Sequence, residues 1–173
     1  MRRRKLVISA ALATLALAVL LGRRGAGPVT VTLNGAETPV TLAEDRDVYL
    51  TVEPAAVSST GAVVVLHREG VPQIGYGDAY YIAQKERHNS RKWTEVPWLD
   101  QDEPSWWPSM TVMGFDPDGA SEEARLAGET EMAEDWTDIY GPLEPGEYLF
   151  VKEVMDPTDP AAGRYIGAQF TVK

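Results

Sequence analysis

The sequence predicts an all-β domain preceded by one N-terminal hydrophobic helix. Short segments in which apolar and polar residues alternate recur from residue 29 to residue 172, and a period of two is typical of strands with one buried face. Glycine, proline, asparagine and aspartate separate these segments, as expected of turns. About eight short strands at regular spacing favour a sandwich or a barrel. One short helical candidate, residues 121–127, interrupts the pattern.

The first 24 residues resemble an export segment. Arg2, Arg3, Arg4 and Lys5 precede an apolar run of 17 residues at positions 6–22, and Arg23 and Arg24 follow it. This run is long for the core of a signal peptide and shorter than the roughly 20 residues of a typical membrane span. The excess of positive charge before the run predicts that the N-terminus stays in the cytoplasm. We therefore expect an extracytoplasmic domain, anchored by residues 6–22 or secreted after cleavage.

Composition limits the ligands of this domain. Residues 25–173 hold ten basic and all 26 acidic residues, a net charge of −16. Such a surface repels nucleic acid, whose binding depends on lysine and arginine at the phosphates. The chain has no cysteine, which excludes disulfides, thiolate metal sites and thiol catalysis. The length fits one domain, with residues 25–47 as a linker and first strands and residues 48–173 as the folded unit.

Turn-forming residues mark the ends of the predicted strands. Asn34-Gly35 is a strong hairpin-turn signal after the first alternating segment. Residues 97–108 form the least regular stretch and are expected to be a long loop. The predicted strands are residues 29–33, 47–52, 62–66, 79–83, 92–96, 110–115, 147–154 and 165–172.

One local motif predicts a corner between two sheets. An acid, a small residue, a tyrosine and a core residue occupy alternate positions at Glu144, Gly146, Tyr148 and Phe150. This motif resembles the tyrosine corner of immunoglobulin-like sandwiches, in which the tyrosine hydroxyl binds the backbone a few residues upstream. Phe150 stands where antibody domains have a cysteine, so the resemblance implies apolar packing in place of the disulfide.

A wider resemblance extends from about residue 48 to residue 173. The chain resembles bacterial immunoglobulin-like domains found on exported proteins, and the resemblance implies a β-sandwich without catalytic residues. A departure is the absence of tryptophan from residues 48–66, where antibody-type domains pack one beneath their disulfide. The motifs that carry the resemblance, in order, are Tyr80-Tyr81, Lys92-Trp93-Thr94-Glu95-Val96-Pro97, Trp136-Thr137-Asp138-Ile139-Tyr140-Gly141 and residues 143–148.

Catalytic and metal-binding motifs are missing from the sequence. It has no Gly-x-Ser-x-Gly, no phosphate-binding glycine loop and no His-Glu-x-x-His. His67 is expected to pack at a strand end and His88 to be solvated in a polar loop. Acidic residues at 100–103 and 116–119 are interpreted as solvated turns, since their spacing does not fit a calcium loop. We expect no catalytic residue, no metal and no cofactor.

The tryptophans give the candidate binding site. Trp93 and Trp136 are expected in the core because each lies in or beside a strand. A second group lies in or beside the irregular loop and can form an exposed aromatic platform with nearby carboxylates. The alternative is that these rings cap one end of the sandwich. The candidate binding residues are Trp98, Trp106, Trp107, Asp100 and Asp102.

Three functions remain open at this point. The first is a non-enzymatic interaction module of a bacterial cell envelope, exported or membrane-anchored, that contacts another envelope protein. The second is a carbohydrate- or peptidoglycan-binding module that uses the same tryptophans. The third is a small exported hydrolase, for which the sequence pairs no nucleophile with a base.

Overall fold

A computed structural model describes residues 26–42, 47–71, 74–87, 92–100, 110–113, 127–156 and 159–173. Within these ranges the chain is mostly strand, with a 3-10 turn at Pro54–Ala56 and one single-turn helix, α1 (Thr137–Tyr140), which confirms the all-β class. The strands are β1 (Ala26–Leu33), β2 (Ala36–Leu42), β3 (Val48–Val52), β4 (Gly61–Glu69), β5 (Ile74–Gly77), β6 (Tyr81–Lys85), β7 (Lys92–Glu95), β8 (Met110–Met113), β9 (Ala127–Asp135), β10 (Gly146–Asp156) and β11 (Asp159–Val172).

The predicted hydrophobic helix at residues 6–22 lies outside the described residues. Among the residues that the structure does describe, no helix is long and apolar enough to span a membrane. The helical candidate at residues 121–127 also lies outside them, except for Ala127, which begins β9.

Three strands of the described chain, β2, β5 and β9, were not predicted from the sequence. The β9 segment, Ala-Gly-Glu-Thr-Glu-Met-Ala-Glu-Asp, is poor in β-branched and aromatic residues. It is extended because all nine of its residues, from Ala127 to Asp135, pair antiparallel with β4. Tertiary pairing overrides a weak local preference at this position.

The described strands form two sheets. An eight-stranded sheet has the order β11-β2-β1-β7-β6-β10-β5-β8, and β10 also pairs with β11. The pairing of β10 with β11 closes β11, β2, β1, β7, β6 and β10 into a six-stranded ring. The second sheet has three strands in the order β3-β4-β9. The large core lies between this small sheet and the outside of the ring.

The N-terminal hairpin closes the ring. Asn34 and Gly35 form its turn with φ of 49° and 76°, the left-handed pair that a tight hairpin turn requires. β1 pairs parallel with β7, and β2 pairs parallel with β11. Residues 26–42 are therefore strands of the folded sheet, and the domain extends from residue 48 back to residue 26.

β10 contributes to two cores because its side chains alternate between its two faces. Leu149 and Val151 face the interior of the ring, where they meet Trp93 and Val40. Tyr148, Phe150 and Val154 face the core between the sheets, which also holds Trp136. The core positions predicted for Trp93 and Trp136 are confirmed, with exposures of 1% and 0%.

The predicted corner at Tyr148 is confirmed. Its hydroxyl donates a hydrogen bond of 2.7 Å to the carbonyl oxygen of Glu144, and the side chain is 2% exposed. The ring stacks on Phe170 with centroids 5.6 Å apart. The bond fixes the turn that delivers the chain from α1 into β10.

The interior of the ring leaves no room for a side chain at Gly167. A Cβ at this position would lie 2.9 Å from Val40 Cγ1 and 3.0 Å from the Phe150 carbonyl oxygen. Gly163 lies four residues earlier on the same strand. A Cβ at Gly163 would lie 2.9 Å from the carboxylate of Glu153, which is at the end of a flexible side chain.

Gly167→Ala is expected to lower the free energy of unfolding by about 1–3 kcal/mol, because it overpacks the ring against backbone. Urea denaturation measures the loss, and Gly163→Ala is the matched control because the Glu153 side chain can move aside. Equal stability of the two variants would contradict the tight packing of the ring.

Tyr148→Phe is expected to cost about 1 kcal/mol, since it leaves the Glu144 carbonyl without its donor. The control is Tyr49→Phe, whose hydroxyl binds the exposed carboxylate of Glu69. The same denaturation assay applies, and an unchanged unfolding midpoint for Tyr148→Phe would refute a stabilising role of the corner.

Candidate functional site

The loop after β7 is fixed on the single-turn helix. The backbone N–H of Leu99 donates to the carbonyl oxygen of Ile139 at 2.8 Å. The indole Nε1 of Trp98 donates to the Tyr140 hydroxyl at 3.2 Å, and its half-buried ring packs against the core between the sheets. Trp98 therefore anchors this loop to the core.

Tyr140 joins the loop to the sheet. Besides Trp98, its hydroxyl accepts a hydrogen bond from the backbone N–H of Ile82 at 3.2 Å and donates to the Tyr80 carbonyl at 3.5 Å. Burial raises the pKa of Tyr140 above the ordinary value of 10.0, so the hydroxyl keeps its proton and remains a donor. One side chain thus connects the loop, α1 and β6.

The loop presents an apolar and an acidic side chain to solvent. Leu99 is the exposed large hydrophobic residue of the described chain, at 62% exposure, and Asp100 beside it is exposed. Gly141, with φ of 70°, ends α1 beneath the loop, and a Cβ there would lie 3.5 Å from Leu99 Cδ2. We call residues 97–100 with α1 the loop face.

The loop face contains two of the five candidate binding residues. Trp98 and Asp100 lie on it, the first as a half-buried anchor and the second in solvent. Trp106, Trp107 and Asp102 lie outside the described residues. Sequence reasoning did not identify Leu99 or Tyr140 as part of this face, although the Trp-x-x-x-Tyr-Gly motif contains Tyr140.

A second polar cluster lies on the outer face of the three-stranded sheet. Thr51 Oγ1 is 2.7 Å from His67 Nε2, and Glu129 Oε1 is 3.2 Å from His67 Nδ1. The Tyr49 ring stacks on the imidazole with centroids 4.5 Å apart. The hydroxyl, imidazole and carboxylate follow the order of a hydrolase triad, an arrangement that the sequence did not predict.

Register explains this cluster without catalysis. His67 is directly opposite Tyr49 on β3 and opposite Glu129 on β9, so the side chains meet as ordinary cross-strand neighbours. Two hydrogen bonds and the stacked ring already occupy the imidazole. We interpret the cluster as a stabilising network. Within the described residues, no group of three or more histidine, aspartate or glutamate side chains is placed to hold a metal ion.

A buried lysine occupies the core between the sheets. Lys152 is 1% exposed, and its Nζ lies 3.5 Å from the Ala79 carbonyl oxygen and 5.6 Å from the centre of the Tyr76 ring. Burial lowers the pKa of Lys152, while the negative charges of Glu134 and Asp78 oppose that shift. The negative charges of Glu134 and Asp78 therefore favour the ammonium form that burial disfavours.

Lys152→Met is expected to change how stability depends on pH. When the pKa of a lysine is lower in the folded state than in the unfolded state, the unfolded state binds the proton more tightly. The stability that this lysine contributes is therefore fully present above the unfolded-state pKa and is lost as the pH falls through the folded-state pKa. The unfolding free energy of wild type minus that of the variant should therefore rise as the pH increases toward 10.5, the ordinary pKa of lysine. Urea denaturation at several pH values measures it.

The control for this series is Lys173→Met, which removes an exposed ammonium. Its difference from wild type should stay flat over the same pH range. A flat difference for Lys152→Met as well would mean that burial does not perturb the lysine.

Comparison with known proteins does not identify a family for this chain. No protein-family model matches the chain, and no curated protein or solved structure is significantly similar to it. The immunoglobulin-like resemblance thus rests on the motifs and strands of the chain itself.

Proposed function

We propose that this protein is a non-enzymatic interaction module of a bacterial cell envelope. In this proposal the basic and apolar N-terminal segment delivers the domain across the membrane, and residues 6–22 anchor it there or are removed after export. The domain then binds an envelope protein through the loop face.

The proposed fold is an immunoglobulin-like sandwich in which the larger sheet, here called the front sheet, closes into the six-stranded ring. Its support is the packing of β3-β4-β9 against β11-β10-β6-β7, with the tyrosine hydroxyl bond at the entry of β10. This order resembles strands A-B-E and G-F-C-C′ of immunoglobulin-like domains, without strand D among the described residues. The departure is the N-terminal hairpin, which joins the two edges of the front sheet. Immunoglobulin-like sandwiches serve many functions, so the fold alone does not select one.

The observation that carries the functional proposal is the exposed Leu99 on an anchored loop. Single exposed apolar side chains are common on protein surfaces, and Leu99 differs in that the backbone bond to Ile139 holds its loop in place. A rigid anchor loses little conformational entropy on binding. The adjacent Asp100 and the strongly acidic composition favour a partner with basic residues around an apolar contact.

The test is a pull-down from detergent-solubilised envelopes with the full chain as bait. Leu99→Ser and Trp106→Ala/Trp107→Ala are compared with wild type, and Glu131→Ser on the opposite sheet is the surface control. We expect a protein that wild type and the control retain and that Leu99→Ser loses at least in large part. Trp98→Ala is unsuitable because Trp98 packs against the core.

The outcomes separate the alternatives. Retention of the same protein by Leu99→Ser would exclude the loop face as its binding surface. If no protein is retained but soluble glycans change the tryptophan fluorescence, and Trp106→Ala/Trp107→Ala abolishes the change, the carbohydrate-binding alternative replaces the proposal.

A further inference from the structure

The two ends of the six-stranded ring carry different side chains. Alternate residues of each strand face the interior, so the residues flanking the ring core in sequence lie at its ends. Lys85 and Glu147 lie at one end, two positions from Ala83 and Leu149 of the ring core. The other end, which we call the ring mouth, is formed by Tyr81, Glu95, Glu153 and Tyr165.

The first end is closed by an internal cation. Lys85 Nζ lies 2.8 Å from Glu147 Oε2 and 5.8 Å from the centre of the Trp93 ring. The ammonium therefore has a carboxylate partner and an aromatic face, the two features that stabilise an organic cation in a protein.

The ring mouth repeats these features with different residues. Tyr81 and Tyr165 are half-buried, pack on the ring core and meet edge to face, with centroids 6.2 Å apart and planes at 65°. Glu153 is directly opposite Tyr165 on the neighbouring strand. Glu95 accepts the backbone N–H of Asn34 at 2.7 Å.

The carboxylates at the ring mouth affect the pKa values of its two tyrosines. Burial raises the pKa of Tyr81, and the negative charges of Glu95 and Glu153 raise it further. Glu153 has the same effect on Tyr165, where burial is again the larger cause. The side-chain amide of Asn34 opposes the shift at Tyr81 by hydrogen bonding. Two aromatic rings and two carboxylates thus share one small region.

Neither Glu95 nor Glu153 forms an ion pair with a described residue. Ion pairs between described residues join His67 to Glu129, Lys85 to Glu147 and Lys92 to Glu86, and none of these three includes Glu95 or Glu153. Arg164 is next to Tyr165 in sequence, but alternation places it on the opposite face of β11, the face of Ile166. The ring mouth therefore has aromatic rings and carboxylates like those around Lys85, and its two carboxylates have no ion pair with a described residue.

We propose that the ring mouth binds the ammonium or guanidinium group of a lysine or arginine side chain presented by the partner protein. This inference rests on the proposed function and specifies the chemistry of the partner. Half-buried tyrosines favour an organic cation over a divalent metal, which requires six or more oxygen ligands. Openings of closed β-structures are common positions for ligands. The net charge of −16 on residues 25–173 attracts such a group from a distance.

The test is a titration of the full chain, with ring-labelled tyrosine, in neutral detergent. The probes are N-acetyl-lysine methylamide and N-acetyl-arginine methylamide, with the norleucine analogue as the uncharged probe of similar shape. Nuclear magnetic resonance follows the Tyr81 and Tyr165 ring signals, which Tyr81→Phe and Tyr165→Phe assign. We expect saturable shifts of both signals with the two cations and none with norleucine.

The matched variants are Glu95→Gln/Glu153→Gln at the mouth and Glu129→Gln/Glu131→Gln on the outer face of the other sheet. Both remove two charges, but only the first should weaken binding, by about tenfold or more. Glu153→Gln alone, at an exposed position, serves if the double variant does not fold, and its affinity should also fall.

Three results would overturn the inference: no shift with either cation, an equal shift with norleucine, or equal weakening in both double variants. If one of these occurs while the envelope pull-down still retains a partner that depends on Leu99, the proposed function stands and only the ring-mouth site fails. If the probes bind but the pull-down retains nothing, the site stands without the partner.

Discussion

Strand β10 is hydrogen-bonded along both edges and buried on both faces. β11 pairs with it from Gly146 to Asp156, and β6 followed by β5 occupies its other edge. Leu149 and Val151 complete the ring core, while Tyr148 and Phe150 complete the core between the sheets. The corner sets the start of this strand, α1 leads into it, and the ring closes through it.

The local pattern predicted the class and the corner because both depend on short-range information. Alternation reveals a strand with one apolar face, and the Asn34-Gly35 pair specifies its turn through left-handed φ values. The tyrosine corner is equally local, since donor and acceptor are four residues apart. In contrast, β9 is defined by nine cross-strand pairs with β4, and no property of its own acidic sequence reveals them.

Closure of the ring lies beyond sequence reasoning for the same physical reason. It depends on parallel pairing of β1 with β7 and of β2 with β11, between segments far apart in the chain. Tryptophan and aspartate in an irregular loop indicated a binding surface, but Trp98 packs half-buried against the core and Asp100 is exposed. Whether an indole points to solvent or to the core depends on a partner such as Tyr140, whose position only the tertiary structure gives.

The parallel insertion of the N-terminal hairpin constrains the order of folding. β2 has no partner on its outer edge until Tyr165 and Ile166 of β11 are in place beside Val40 and Thr41, so the ring cannot be completed by a chain that has emerged only in part. Contacts between distant segments form slowly because a long loop must close first. The hairpin is synthesised early but can join the ring only after β11 has been synthesised. Until then its apolar side chains, including Val31 and Val40, are exposed and can bind chaperones or aggregate.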